Sequence, residues 1–389
     1  MSWKKVKLCS VAKIGAGQSA PKDSDFSVND GLPFIRAGHL EQLIANDNIV
    51  ALPTINEEKS SKNKLKVLKK GSILFAKSGM SAMMNRAYLI EQDVYYVSHL
   101  ASVTPNNSVL DSRFCYYFLK HFKTSKLIKD SSYPSIGLPD IENLEIPLPT
   151  LPIQMRIAEI LDAADALHRK DQMLLRKYDE LAQAIFIDMF GDPVKNEKGW
   201  KVKRLEEVII FPSGLVDPRL NEYKDMYHVG GDNIDSRTGR IFGLKQAKEL
   251  GLISGKFYFT SNHILYNKIR PYLNKVALPD FNGICSADMY PLLPKENEVL
   301  KEYLYFILRS PFFLDFADKQ SRRANIPKIN MTEMSLFELP VPPIDIQVKF
   351  ISKLGGLNKN IDSVSACSDL STNLFDSLLQ QAFKGELVK

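Results

Sequence analysis

Three regions of this chain, each present in two related forms, carry side chains suited to phosphates or to the edges of nucleic-acid bases. The stretch "QSRRAN" (320–325) sets Gln320, Arg322, Arg323 and Asn325 within six residues. Guanidinium and carboxamide groups are planar donors that match guanine and adenine edges, each good pair being worth ~1–3 kcal/mol of discrimination. Its counterpart is "KDSSYPSIGLP" (129–139), which offers Ser131, Ser132 and Tyr133. A second pair, "FAKSGM" (75–80) and "YNKIRPYLNK" (266–275), offers Lys77 and Ser78, then Lys268, Arg270, Tyr272 and Asn274. The third is "IRAGHL" (35–40) with "VGGDNI" (229–234), from which Arg36 and His39, then Asp232 and Asn233, could project after a glycine turn. Of the three, "QSRRAN" is the first candidate for base contact. The lysine-dense "EEKSSKNKLKVLKK" (57–70) reads instead as a sequence-blind phosphate-contacting or plain surface segment. Solvated basic loops and ordinary glycine turns use the same residue types, so these regions are candidates only.

Catalytic and cofactor motifs are hard to find. "GAGQSA" at Gly15 fits a dinucleotide fingerprint loosely but follows no convincing strand, and a loop is the expectation. "GLISGKF" (251–257) is one residue short of a phosphate loop and lacks Ser or Thr after its lysine. The six histidines show no H-x-x-x-H spacing, and the E-x-K at 57–59 has no acidic partner on a strand. The Asn/Asp-Pro-Pro-Tyr/Phe motif that holds an adenine amino group in methyltransferases is absent from the sequence. Cys9, Cys115, Cys285 and Cys367 are isolated and are expected to be free thiols in a reducing cytoplasm. The expectation is a chain that binds and organises. A stand-alone nuclease or methyltransferase, or a helical scaffold that binds protein and no DNA, are the competing readings.

The elements that must position these residues follow from length, charge and repetition. At 389 residues the chain is too long for one comfortable core. No apolar run approaches the ~18–20 residues that span a membrane, and "MSWKKVKLCS" has no apolar stretch after its lysines, so no signal peptide is expected. Lys and Arg exceed Asp and Glu by 19 to 14 in residues 1–150 and by 21 to 18 in residues 196–341, whereas the remaining segments carry 11 against 13. The positive excess therefore belongs to two blocks, which suits polyanion binding without proving it.

Those blocks are copies. "EIPLPTLPIQMRIAEIL" (145–161) returns as "ELPVPPIDIQVKFISKL" (338–354), 193 residues later, with Glu145/Glu338, Pro147/Pro340, Pro149/Pro342, Gln154/Gln347 and Leu161/Leu354 in register. "SWKKVKLCSV" (2–11) matches "GWKVKRLEEV" (199–208), aligning the only two tryptophans, Trp3 and Trp200. A drifting offset is the mark of divergent duplication with loop insertions.

Each copy opens with short β-like runs such as "GSILFAK" (71–77) and "NHILYNK" (262–268) and continues, after prolines, into a long helix. From Ile153 the 4-3 steps read Ile153, Ile157, Ile160, Ala164, Leu167, Asp171, Leu174, Tyr178, Leu181, Ile185. In the second copy they read Phe350, Leu354, Leu357, Ile361, Val364, Ser368, Ser371, Phe375, Leu378, Ala382. A narrow 3.5-residue stripe signals a coiled-coil seam, and two such helices in one chain can cover each other. The expected fold class is α+β: two tandem duplicated α/β-type globular domains, separated and followed by long α-helices paired as an antiparallel coiled coil. The expected boundaries are 1–150, a central helix 151–192, a second domain 193–341 and a C-terminal helix 342–389. Gln154 and Gln347, at the start of each helix, join the seam residues as candidate partner contacts.

Two divergent domains, each leading through prolines into a long helix, resemble the specificity subunit of type I restriction–modification systems. The resemblance covers the whole chain and is carried by "PLPTLPIQMRIAEILDAADAL" (147–167), its echo "PVPPIDIQVKFISKL" (340–354) and "FGDPVKNEKGWKVKRLEEV" (190–208). The second copy departs where Ala158-Glu159 aligns with Ile351-Ser352 and Asp162 with Gly355. The resemblance implies a non-catalytic, cytoplasmic, DNA-specificity subunit whose two target-recognition domains read the halves of a split site in double-stranded DNA. It implies a helical ruler, two modification subunits docked on the helices, and restriction subunits joining them. It places S-adenosylmethionine, ATP and magnesium on those partners and no cofactor in this chain.

Overall fold

A computed structural model of the chain describes residues 3–46, 49–321 and 326–388. It separates into two compact units, one of Met1–Asp171 with Cys367–Lys389 and the other of Gln172–Ala366.

In the first unit Lys5–Lys7 pairs antiparallel with Glu145–Pro147, joining the two ends of the globular block. A four-stranded antiparallel sheet runs in the order Ala12–Ala16, Leu100–Pro105, Ile73–Ala76, Ala87–Leu89. Ile73–Ala76 is buried at every position, which explains why "ILFA" is continuously apolar rather than alternating. A smaller sheet orders Thr54–Ile55, Leu32–Ile35 and Tyr95–Tyr96, the last two strands parallel. Helix Ser112–Phe122 is capped by Asp111, whose carboxylate accepts from the amides of Arg113 and Phe114.

The second unit repeats this plan. Lys201–Arg204 pairs with Glu338–Val341. Its main sheet runs Ile209–Ile210, Met289–Pro294, Ile264–Asn267, Val276–Ala277, and its smaller sheet again holds a parallel pair, Tyr227–Val229 with Gly283–Cys285. Lys301–Arg309 takes the place of the first unit's Ser112–Phe122 helix. The duplication read from sequence is thus a duplication of topology, and the fold is the expected α+β class.

The two long helices are Leu151–Phe190, 40 residues, and Ile344–Lys384, 41 residues. Each is shared between the units. In the first unit the start of the first helix packs antiparallel on the end of the second. Ile157, Leu161 and Ala164 share a core with Phe375, Leu379 and Ala382, the Ser371 hydroxyl donates to Asp171 at 2.8 Å, and His168 meets Thr372 at 3.1 Å. In the second unit Ala182, Phe186 and Phe190 share a core with Phe350, Leu354 and Leu357, and the Phe190 and Phe350 rings meet edge to face at 5.1 Å.

The seam on the second helix follows the expected positions, all of them buried or half-buried. On the first helix half the seam is shifted by one residue. Leu167, Leu174 and Leu181 are 46%, 37% and 47% exposed, while Leu161, Leu175 and Ala182 are buried, His168 is half-buried, and Ile160 is half-buried beside Leu161. At Ile160/Leu161 and Leu174/Leu175 large apolar residues sit at both alternatives, so the period alone cannot choose between them. At Leu181/Ala182 the smaller side chain is the buried one, in a core with the aromatic Phe350.

Gln154 and Gln347 do not face a partner. Both are fully buried. Gln154 donates to the carbonyls of Pro149 at 2.8 Å and Val109 at 3.0 Å and accepts from the Asp111 amide at 2.8 Å. Gln347 donates to Pro342 and accepts from the Leu300 amide, both at 2.8 Å. Each glutamine therefore ties the proline-rich entry of its long helix to the start of its domain's own helix. The Asp162-to-Gly355 departure has an internal explanation as well. Asp162 accepts from Arg113 at 2.9 Å and from the Tyr117 hydroxyl at 2.7 Å. The residues aligned with those donors are Glu302 and Phe306, which have no proton to offer a carboxylate.

Gln154→Ala leaves one buried amide and two carbonyls without partners and should destabilise the chain by about 2–4 kcal/mol in urea unfolding. A loss below about 0.5 kcal/mol would remove the glutamine from this role. The shifted seam is checked separately: Leu161→Glu should abolish cooperative unfolding of the first unit, whereas Leu167→Glu should stay within about 0.5 kcal/mol of wild type.

Candidate nucleic-acid interface

Two of the three candidate regions meet in each domain, through equivalent backbone hydrogen bonds. In the first domain the Gly79 amide donates to Pro134 at 2.9 Å, the Ile136 amide donates to Lys77 at 2.7 Å, and Ser78 bridges Ser135. In the second the Arg270 amide donates to Pro327 at 2.7 Å, the Ile329 amide donates to Lys268 at 3.1 Å, and Ile269 bridges Lys328. A short helical turn follows in each, Met80–Met83 and Pro271–Leu273. Asn85 and Asn274 close these turns in the left-handed region, at φ 52° and 51°, where asparagine is tolerated better than most residues.

The third region joins the same neighbourhood. In the second domain the Lys275 ammonium donates to the Gly231 carbonyl at 2.6 Å and lies 3.8 Å from Asp232. In the first, Arg86, just past the turn, pairs with Glu41 on helix His39–Asn46 at 2.8 Å, and the Val97 amide donates to Ile35 at 3.0 Å.

The side chains proposed from sequence divide into two groups. Ser131, Ser132 and Tyr133 are exposed, Tyr133 at 83%. Arg270, Tyr272 and Asp232 are exposed too, while Lys77 is half-exposed. Gln320 is half-exposed near the end of helix Pro311–Ser321 rather than in a loop. Arg322, Arg323 and Asn325 lie outside the described residues.

The other group holds the framework. Asn233 accepts from the Gly230 amide at 2.9 Å and donates to the carbonyls of Phe242 and Gly243. Asn274 donates to the Arg309 carbonyl at 3.1 Å. Lys268 donates to the Ala287 carbonyl at 2.8 Å and sits 5.2 Å over the Tyr290 ring. His39 accepts the Arg36 amide at 3.2 Å, and burial, then the Arg36 charge, hold its pKa below the ordinary imidazole value. Arg36 itself lies 5.0 Å over Phe26 and 3.5 Å from Asp23. Ser78 shares a hydrogen bond with His99 at 2.8 Å. Turn-forming polar residues commonly bond to nearby backbone, as these do.

Sequence reasoning missed the apolar tips. Met80, Met84 and Ile326 are 72%, 56% and 56% exposed beside the polar candidates. Their signal was the shared Pro-x-Ile of Pro134/Ile136 and Pro327/Ile329, which aligns the loops that bear them.

A cleft of about 310 Å³ in the second unit is lined by Asp179, Phe186, Arg237, Tyr305, Arg309 and Phe312 among others. Its cations brace loops: Arg309 donates to the Asn274, Val276 and Arg237 carbonyls, and Arg237 to Gln172 at 2.9 Å. Burial raises the pKa of Asp179 against the pull of Arg309, Arg237 and Arg240. "GAGQSA" begins in strand Ala12–Ala16, and no helix follows directly to hold a phosphate. Among the described residues there is no group of His, Cys, Asp or Glu arranged to hold a metal ion, and no helix is long and apolar enough to cross a membrane.

A duplicated α+β block with exposed loop tips, and long helices shared between the copies, defines a recognition protein. Residues 1–175 and 197–365 match the type I restriction modification DNA specificity domain, and the chain belongs to that family. It is 26% identical to the type I restriction enzyme EcoDI specificity subunit of Escherichia coli, over all of this chain and 89% of that one. It is 27% identical to the MjaIX specificity subunit of Methanocaldococcus jannaschii over 41% of this chain and 37% of that one. A crystal structure of the type I restriction-modification S subunit from M. genitalium superposes with a TM-score of 0.55 at 16% identity, covering 98% and 96% of the two chains, and shares the fold. The chain is thus a DNA-recognition subunit rather than a catalytic one.

The division of side chains is open to measurement. Lys268→Ala should lower stability in urea by about 1–2 kcal/mol through its lost carbonyl bond. Tyr133→Ala should leave stability within about 0.5 kcal/mol. Equal effects of the two would erase the distinction.

Proposed function

We propose that the chain reads a split target in double-stranded DNA, one half-site per globular domain, while the two long helices set the gap and carry two modification subunits. The observation that supports this reading most directly is the loop pair built twice on the same backbone hydrogen bonds, with different side chains at its tips. One scaffold with two sets of tips suits two unlike half-sites. Exposed Tyr133 and Tyr272 offer faces for stacking, and Arg270 offers a base-edge or phosphate contact.

The helix pairing supports the ruler. A 40-residue helix extends ~60 Å, more than the ~34–36 Å of one DNA turn, so an unread spacer fits between half-sites. The exposed leucines 167, 174 and 181 recur every seven residues on the first helix and form an apolar line suited to a docking helix or sheet of a modification subunit. That subunit would bring S-adenosylmethionine and flip the adenine. ATP and magnesium would enter with a restriction subunit.

Methylome sequencing of cells expressing the chain with its modification subunit tests the whole. A split motif with methyladenine in both halves is expected. Inserting one heptad into each long helix, between residues 171 and 172 and between 366 and 367, should lengthen the spacer by about three base pairs at ~1.5 Å per residue. Both half-sites should stay unchanged. Altered half-sites with an unaltered spacer would sink the ruler.

A further inference from the structure

We infer that Arg270 is the specificity-determining side chain of the second domain's turn and reads a guanine edge in that domain's half-site. The inference rests on the DNA-reading role proposed above and adds to it a residue and a base.

The two turns are superimposable in their bonding, which makes Arg270 the counterpart of Gly79. Both amides donate to the proline carbonyl of the neighbouring loop. Both carbonyls accept from the residue three further on, Ala82 at 3.0 Å and Leu273 at 2.9 Å. Both residues have positive φ, but Gly79 lies at φ 71°, ψ −176° and Arg270 in the left-handed region at φ 51°, ψ 65°. Glycine takes either conformation without steric cost, whereas an arginine Cβ crowds the backbone in the left-handed one. The second domain thus places a strained residue at the position where its sister has glycine.

Among the described residues no side-chain bond of Arg270 offsets that strain. Arg270 is exposed, and among the described residues its guanidinium makes no hydrogen bond or ion pair. Three other cations around this turn are engaged, Lys268 with the Ala287 carbonyl, Lys275 with the Gly231 carbonyl and Arg309 with the Asn274 carbonyl, while Lys328, whose backbone bridges Ile269, is exposed. Strain held at an exposed, unpaired side chain over a braced backbone is characteristic of a recognition site.

The surroundings favour a base edge over a phosphate. Tyr272, two residues on, and Ile326, next to the Pro327 whose carbonyl holds the Arg270 amide, are 55% and 56% exposed and give this loop pair apolar surface beside the arginine's backbone. The turn beneath is held on both sides, so little order is lost when the guanidinium docks. A bidentate bond to guanine O6 and N7 is the contact that such a planar donor makes best. The sister turn presents Met80 and Met84 and carries no cation between Gly79 and Asn85, so the two half-sites are expected to differ.

The test selects binding sites from a randomised duplex pool with the full-length chain, wild type and the variants R270G and R270K, alongside urea unfolding of each. R270G installs the sister's residue. It should unfold at or above the wild-type midpoint, keep the first half-site and lose roughly 5- to 150-fold of discrimination at one or two positions of the second. R270K should retain salt-sensitive binding and lose the same discrimination, because a lysine is a point charge without the planar fork. An R270K chain that reads as wild type makes the contact a phosphate contact and overturns the inference. So does an R270G chain that is destabilised, or one that reads the second half-site unchanged. A wild-type chain that enriches no sequence overturns the DNA-reading role itself, a result distinct from failure at Arg270 alone.

Discussion

The apolar face of each globular block closes only under two antiparallel helix segments, one from each long helix. In the first unit Phe383 lies 5.2 Å from Phe114 and Phe375 lies 6.0 Å from Tyr117, so the last residues of the chain complete a core begun by the first domain. In the second unit Phe186 stacks at 5.5 Å on Tyr303 and at 5.6 Å on Phe306. Each buried aromatic is worth ~1.5–3 kcal/mol, and Phe375 in the first core and Phe186 and Phe190 in the second come from the helix that does not follow that domain. Neither block has a finished core without residues far away in sequence. Such non-local closure slows folding and couples the whole chain to both helices.

Around the candidate loops main-chain bonds hold the backbone, some side chains such as Asn274 and Lys268 brace it, and others such as Tyr133, Arg270 and Tyr272 are left exposed. The turns at 77–85 and 268–275 are anchored through main-chain groups, with Asn85 and Asn274 in left-handed conformation closing them. Because the anchors are amides and carbonyls, the tip residues can change without loss of the turn. Met80, Arg270 and Tyr272 differ in chemistry on one geometry. That separation suits a protein whose targets must diverge while its architecture does not.

The buried glutamines illustrate how a repeated motif can mislead. Their persistence in both copies pointed towards partner contact, but Gln154 and Gln347 are internal staples whose several hydrogen bonds are needed where a proline-rich segment leaves carbonyls unmatched. The same holds in reverse for the leucines at 167, 174 and 181. The 4-3 spacing places them in the seam, and they are exposed instead. Polar candidates such as Asn233 and Lys268 are bonded to backbone for the same reason that made them candidates. A donor in a turn finds the nearest carbonyl first.

The amino-acid sequence by itself determined the duplication, the short β-like runs, the two long amphipathic helices and the loop regions that could touch DNA. Hydrophobic period, proline placement and turn residues are local properties, and each copy repeats them. Only the tertiary structure decided which neighbour of an adjacent apolar pair is buried, as between Leu174 and Leu175, and which helix half completes which core. It alone decided that Arg270, in a strained turn, has no side-chain partner among the described residues while Lys268, two residues earlier, is tied down. A stripe one residue wide of its true position has almost the same period. The direction of a side chain is set by what packs against it from distant sequence, which no local pattern encodes.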